Sequence, residues 1–277
     1  MTRRPVTGGF VFQAASLLIS AILVHAVYVT VVWPRAASDQ AASDARMQVD
    51  PTYVADRSIW IILRDYEQES EIVLMLWALA IIGQKVLTMR REQKLFAREL
   101  VALGEGMRIL PEDVAGHART LQALPEPEKS GLLPRALLAA LHRFGATGSI
   151  SDASASAHGV CEGEADRLDS ELSLLRYIAW AIPAIGFIGT VRGIGEALNY
   201  AEEAIKGDIS SVTTGLGLAF NSTFVGLTLC IVLMFFLHLV QGRQEAFVIE
   251  TQTFCRDKLI DVMKVPTKEE ITTAPFA

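Results

Sequence analysis

The chain has 277 residues, 51% of them hydrophobic, with 25 Lys and Arg against 31 Asp and Glu and a formal net charge of −6. That balance argues against a nucleic-acid-binding surface, and a mean hydropathy of +0.33 argues against an ordinary soluble domain. Charge-free runs alternate with densely charged segments, which is the pattern of an integral membrane protein. The cysteines, Cys161, Cys230 and Cys255, form no paired motif and have no histidine cluster nearby, so neither a metal centre nor a disulfide framework is expected.

In chain order, a short N-terminus (1–9) carries Arg3 and Arg4 and leads into a first span at 10–33. The charge-free run from Pro5 to Pro34 exceeds both the roughly 20 residues of a span and the about 7–15 apolar residues of a secretory leader, so a retained helix is expected rather than a cleaved signal. Its titratable group, His25, reads as a packing or interfacial residue. The polar, net acidic segment 34–71 follows; AASDQAASDAR reads as a loop, and Asp50-Pro51 as a helix start with no breaker until Gly83. The second span is expected at 72–89, with Lys85 snorkelling from near its end.

Arg90, Arg91, Lys94 and Arg98 follow that span, so the positive-inside rule places both ends of this pair of helices in the cytoplasm. Residues 90–176 then form a helical cytoplasmic domain. SGLLPRALLAALHRF reads as an amphipathic helix, GATGSISDASASAHG as a flexible loop, and GEADRLDSELSLLRY as helix again. A third span at 177–198, an outer loop at 199–211, a fourth span at 212–241, a cytoplasmic helix at 242–265 and a disordered tail at 266–277 complete the chain. The fold expected is an all-α integral membrane protein with four transmembrane helices, the helical domain between spans 2 and 3, and long helices extending beyond the membrane.

The third span carries AIPAIGFIGTVRGIG, in which Pro183, Gly186, Thr190 and Gly193 share one helical face. Small residues on one face let another backbone come close. Counting roughly 1.5 Å per residue from Tyr177 and from Gln241 puts Thr190 roughly 20 Å and Thr223 roughly 27 Å from the cytoplasmic side, within the hydrocarbon layer. Taken alone, two such hydroxyls read first as helix–helix glue, with the lining of a narrow wet path as the other reading. Thr214, Asn221 and Thr228 form a separate polar stripe of the fourth span, read as packing between helices. Arg192 and Glu196, four residues apart, read as a pair at the outer boundary. No Asp or Glu is expected deep in a span, so a proton-carrying carboxylate would have to come from a partner. No nucleophile–base set, metal cluster or phosphate loop points to an enzyme.

IPAIGFIGTVRGIGEAL followed by ISSVTTGLGLAFNSTFVGLTL resembles the MotA/TolQ/ExbB proton-channel family. Pro183, Gly186, Gly189, Thr190, Gly193 and Ile194 fall on the first motif of that family, and Gly215, Ala219, Phe220, Thr223, Gly226 and Leu227 on the second. The resemblance implies a motor or energy-transducing subunit of the bacterial inner membrane. It implies a homopentamer around a dimer of an ExbD-, TolR- or MotB-like single-span partner whose membrane Asp carries the ion. Thr190 and Thr223 would then line the path and hydrogen-bond that carboxylate, and Pro183, Gly186 and Gly193 would face the partner helix. It implies no cofactor, H+ or Na+ as cargo, contact with lipid and with a cytoplasmic effector, and no nucleic acid. The alternative is a non-conducting pentameric scaffold that anchors a partner.

Overall fold

The computed structural model describes residues 6–49, 58–98, 100, 108–205 and 209–265, apart from the side chains of 6–8, Glu203, Ser210, Ser211, Thr214 and Leu218. Its helices are α1 (Val6–Val27), α2 (Trp33–Val49), α3 (Ile59–Ile62), α4 (Tyr66–Gln93), α5 (Val114–Gln122), α6 (Glu126–Lys129), α7 (Leu132–Thr147), α8 (Ile150–Glu171), α9 (Ser173–Leu198), α10 (Ala201–Ile205) and α11 (Ser210–Lys258). Among the described residues four helical stretches, Gly9–Val49, Tyr66–Ala97, Ile150–Leu198 and Gly215–Val262, are long and apolar enough to cross a membrane. Among the described residues there is no strand, only an isolated bridge between Ile109 and Met263. The chain is thus an all-α membrane protein.

It divides into two units, Met1–Gln84 with Ser173–His238, and Lys85–Leu172 with Leu239–Ala277. In the first unit neighbouring long helices alternate in direction. Gln13 on α1 meets Trp77 on α4 through an indole N–H donated to its carbonyl (2.8 Å), while His25 meets Glu69 (2.7 Å). On α9 and α11, Ala179 meets Cys230, Gly193 meets Ala219 and Ala197 meets Gly215, an antiparallel register held over five helical turns. The buried stripe of α4 contains Gln68, Glu71, Met75, Ala78, Ile81 and Ile82, the three-and-four spacing of one helical face.

Pro183 lies inside α9 and has no N–H to give to the carbonyl of Ala179. The Cys230 thiol of α11 donates to that carbonyl instead, at 3.2 Å. Cys230→Ala is therefore expected to cost about 0.5–1 kcal/mol in the native background. It should cost less in a Pro183→Ala background, where the new backbone N–H takes the carbonyl. Thermal denaturation of the four proteins in one detergent measures the difference as a double-mutant cycle.

Several expectations for the loops change. AASDQAASDAR is helical, within α2, which follows a π-helical turn at Tyr28–Val32. Pro34 offers no N–H to the carbonyl one turn back, and the local register widens there. The Ser58 hydroxyl donates to Asp39, the Trp33 indole donates to the Arg64 carbonyl (3.0 Å), and the Arg35 guanidinium lies 4.6 Å over Trp60, so the connection between α1 and α4 is a packed structure. The expected start at Pro51 lies outside the described residues, but the helix beyond it is not continuous: it breaks at Leu63–Asp65, between α3 and α4. The tail 266–277 also lies outside the described residues.

In the second unit GATGSISDASASAHG is not a flexible loop. Gly148 closes α7 in the left-handed region (φ 63°), Ser149 caps α8 by accepting from Asp152 N (3.2 Å), and Ala153, Ala157 and Cys161 are buried at four-residue spacing. Such small residues let α8 lie close to α7, so a composition that reads as linker is a packing face. The core joins α5, α7 and α8 to Phe247, Val248, Cys255 and Leu259 of α11. Burial pushes the Cys161 thiol up to about 11 and that of Cys255 to about 12, so both are unreactive at neutral pH. Glu164, buried, is held by Arg135 (2.9 Å) and Arg167 (3.1 Å).

Candidate functional site

The polar groups of the first unit gather where α4, α9 and α11 meet. Close approach comes first, because glycines face the neighbouring backbones. A Cβ on Gly193 would stand 2.7 Å from Ala219 Cβ and 2.9 Å from its Cα. On Gly186 it would stand 2.8 Å from both the Ser222 carbonyl and Glu71 Oε1. On Gly189 it would strike Ser222, with Glu67 Cγ 3.0 Å away. Two turns of α9 thus receive α11 on one side and α4 on the other.

This register brings Thr190 and Thr223 together, and their hydroxyls hydrogen-bond each other. Thr190 Oγ1 also reaches the carbonyls of Ala219 (2.9 Å) and Gly186 (3.3 Å), and Thr223 Oγ1 reaches the Gly186 carbonyl (3.0 Å). Two protons serve these contacts: Thr190 donates to Ala219, while Thr223 donates either to Gly186 or to the Thr190 oxygen. The pair is satisfied as it stands, yet each hydroxyl can change acceptor by a rotation of its hydrogen about the Cβ–Oγ1 bond alone. The contact between the two hydroxyls places them at one level, although counting residues from Tyr177 and from Gln241 set them roughly 7 Å apart in depth.

Two residues beyond Thr190 on α9, Arg192 holds three acceptor oxygens. Its Nε and Nη2 grip both carboxylate oxygens of Glu67 (2.7 and 2.8 Å), and its Nη1 bonds Glu196 (2.7 Å). The expected contact between Arg192 and Glu196 is present, but the stronger partner is Glu67 of α4. Glu67 is the less exposed carboxylate, 12% against 60% for Glu196. Arg192→Gln is expected to destabilise the first unit by about 2 kcal/mol, because the fork on Glu67 is lost and its carboxylate stays half enclosed. Arg192→Lys should recover only part of this, since an ammonium cannot match the two-point geometry. Melting temperatures of the three proteins check both statements.

Glu71 stands one turn beyond Glu67 on α4. It is fully buried, and neither carboxylate oxygen has a hydrogen-bond partner. Its Oε1 lies in the space left by the missing Cβ of Gly186 and of Gly226, where those carbons would stand 2.8 and 2.9 Å away. The expectation that no acidic group lies deep in a span therefore fails. Glu71 belongs to α4, not to the end of an outer segment, and it is level with residues inside the third and fourth apolar runs. Helical spacing carried the signal, because Glu71 shares a stripe with Met75, Ala78 and Ile82. A segment boundary drawn at residue 72 hid it.

The face expected to meet a partner helix has another occupant within this chain. Gly186 and Gly193 are buried against α11 and, at Gly186, against Glu71; Pro183 is half-buried. Contact with a separate helix at these glycines would require displacing α11. The stripe Thr214, Asn221 and Thr228 is not united by packing within the chain. Asn221 is buried, whereas Thr228 is exposed and bonds its own helix at the Phe224 carbonyl (2.8 Å); the side chain of Thr214 lies outside the described residues. His25 pairs with Glu69 and meets Trp33 edge-on (5.8 Å). Among the described residues no group of His, Cys, Asp and Glu is arranged to hold a metal ion.

Residues 133–253 match the MotA/TolQ/ExbB proton channel family, a stretch that contains Thr190, Thr223 and the whole register of α9 against α11. Neither a curated protein nor a solved structure matches the chain.

Proposed function

We propose that this chain is a proton channel of the MotA/TolQ/ExbB type, the channel-forming subunit of a motor driven by the proton-motive force in the bacterial inner membrane, with both termini cytoplasmic. Five copies surround a dimer of a single-span partner, and the Asp of that partner carries the proton. The observation that carries this reading is the paired hydroxyls of Thr190 and Thr223, held by the two helices of the family-matched stretch.

The chemistry follows from what two rotatable hydroxyls can do. Facing a partner carboxylate, each turns its O–H from a carbonyl, Ala219 or Gly186, toward the anion. Hydrogen bonds to the charged form favour it, so the Asp gives up its proton there. When the carboxylate moves on, the hydroxyls return to their carbonyls at little cost, because those acceptors have stayed in place. The threonines set where the proton is taken and released; they do not carry it. H+ suits this scheme better than Na+, since hydroxyls that fall back on the backbone leave no standing cage of oxygens.

Reconstituting the chain with its single-span partner in liposomes under an imposed pH gradient tests the reading. Acidification or alkalinisation reported by an enclosed dye is the expected result, lost when the partner Asp becomes Asn. No flux from a complex that assembles normally would leave the scaffold as the better account.

A further inference from the structure

We propose that Glu71 is a proton-binding site of this chain, a carboxyl that carries its proton between Gly186 and Gly226 and adds a second acid to the path. The family match does not reach it, since that begins at residue 133. Three observations carry the assignment. The side chain is entirely buried. Neither oxygen accepts a hydrogen bond. And two glycines on two different helices leave the volume that the carboxyl fills.

The surrounding groups decide the protonation state. On α4, Glu67 is the nearest charge, one turn away and of the same sign. On α9, Arg192 is committed to Glu67 and Glu196, with all three of its contacts at 2.7–2.8 Å. On α1, His25 is turned to Glu69, and the Tyr28 hydroxyl is buried without a partner. Gln68 spends its amide N–H on the Ile62 carbonyl (3.0 Å). On α11 the facing groups are Ser222, which donates to Ala219 (3.0 Å), and Thr223, which donates to the Gly186 carbonyl or to Thr190. No described cation or donor is directed at Glu71. An ionised carboxylate there would be an unpaired buried charge, which proteins avoid by keeping the group neutral. The position itself is costly: Met75, Ala78 and Ile82 show that an apolar residue suits this face.

Glu71 also touches the threonine site. Its Oε1 packs at Gly186, and the Gly186 carbonyl is the acceptor shared by Thr190 and Thr223. When the O–H bond of Glu71 breaks, the proton passes to a water or to the partner carboxylate. The carboxylate left behind is then within a turn of hydroxyls that can rotate toward it. This transport role rests on the function proposed above, whereas the proton occupancy of Glu71 does not.

Infrared difference spectroscopy of the full chain in lipid reads the occupancy directly. A protonated-carboxyl C=O band at neutral pH, shifted in heavy water and absent from Glu71→Gln, is the expected result. Gln has the shape of the neutral acid, so this variant should keep the native melting temperature. Should it not fold, Glu71→Asp supplies the comparison by moving the band. Identical carboxyl spectra in the native chain and a folded variant would overturn the assignment. In liposomes with the partner, Glu71→Gln should reduce proton flux to that of protein-free vesicles while the complex assembles. Native flux in that variant overturns the transport role even if the band is found. Absence of flux from the native complex would instead fault the motor reading, and the infrared result would still judge Glu71.

Discussion

Replacing Thr190 and Thr223 together with alanine is expected to abolish proton flux in the reconstituted complex while the subunits still fold and assemble. The two outcomes separate because of where the hydroxyls spend their protons. Both donate to backbone carbonyls or to each other. The acceptor carbonyls of Gly186 and Ala219 lie inside α9 and α11 and keep their helical partners, so truncation orphans no buried acceptor. The stability cost is then about 1 kcal/mol per residue, the ordinary worth of a hydrogen bond. The functional cost is larger, because no other described hydroxyl stands at that level on both helices at once. Single variants should retain part of the flux, and Thr→Ser at both positions should restore it. Size-exclusion mass and dye-reported flux on the same preparation give the test, and unchanged flux in the double variant would remove the threonines from the path.

Adding one carbon at Gly193 is expected to disturb the membrane unit, whereas the same carbon two residues later should be tolerated. Gly193→Ala drives a methyl against Ala219, with contacts of 2.7 Å to Cβ and 2.9 Å to Cα. The obstacle is partly backbone, so no side chain can swing aside, and α9 and α11 must part. Overpacking of this kind costs about 1–3 kcal/mol. It also lies three residues from Thr190, so it should pull the hydroxyl pair apart. Gly195 has nothing within 4 Å of its added Cβ. There the helix keeps its register, and the better helix propensity of alanine is worth up to about 1 kcal/mol in favour of folding. Opposite signs in melting temperature are therefore expected from one substitution at two glycines. Gly186→Ala belongs with Gly193→Ala, since its methyl would meet Glu71 and the Ser222 carbonyl at 2.8 Å. Equal tolerance at Gly193 and Gly195 would mean that the glycine contacts do not set the helix spacing.

Much of the scaffold could be read before any coordinates. Four apolar runs, the absence of strand alternation and the two glycine–threonine motifs follow from side-chain chemistry repeated along the chain, and a membrane leaves few alternatives to helices for such runs. The pairing of Arg192 with Glu196 was legible for the same reason: residues four apart on a helix meet. Local composition misled where packing rather than propensity decides. The small-residue stretch of α8 reads as a flexible loop, yet small residues at four-residue spacing are what a close helix–helix contact uses; the stretch in α2 is helical too, with Ala36 its buried residue.

Tertiary structure alone decided which helix meets which. The sequence by itself determined that Thr190 and Thr223 each lie inside an apolar helix; only the register of α9 against α11 set their hydroxyls in contact. Likewise it determined that Gly186 and Gly193 leave room on one face, but not that α11 and Glu71 fill it. Glu67 and Glu71 are more than a hundred residues from Arg192 and Gly186, so no local spacing could link them. A helical period reports which side of a helix a residue is on; the neighbour on that side is chosen by the packing of the whole bundle, and here that choice buried an acid inside the membrane unit.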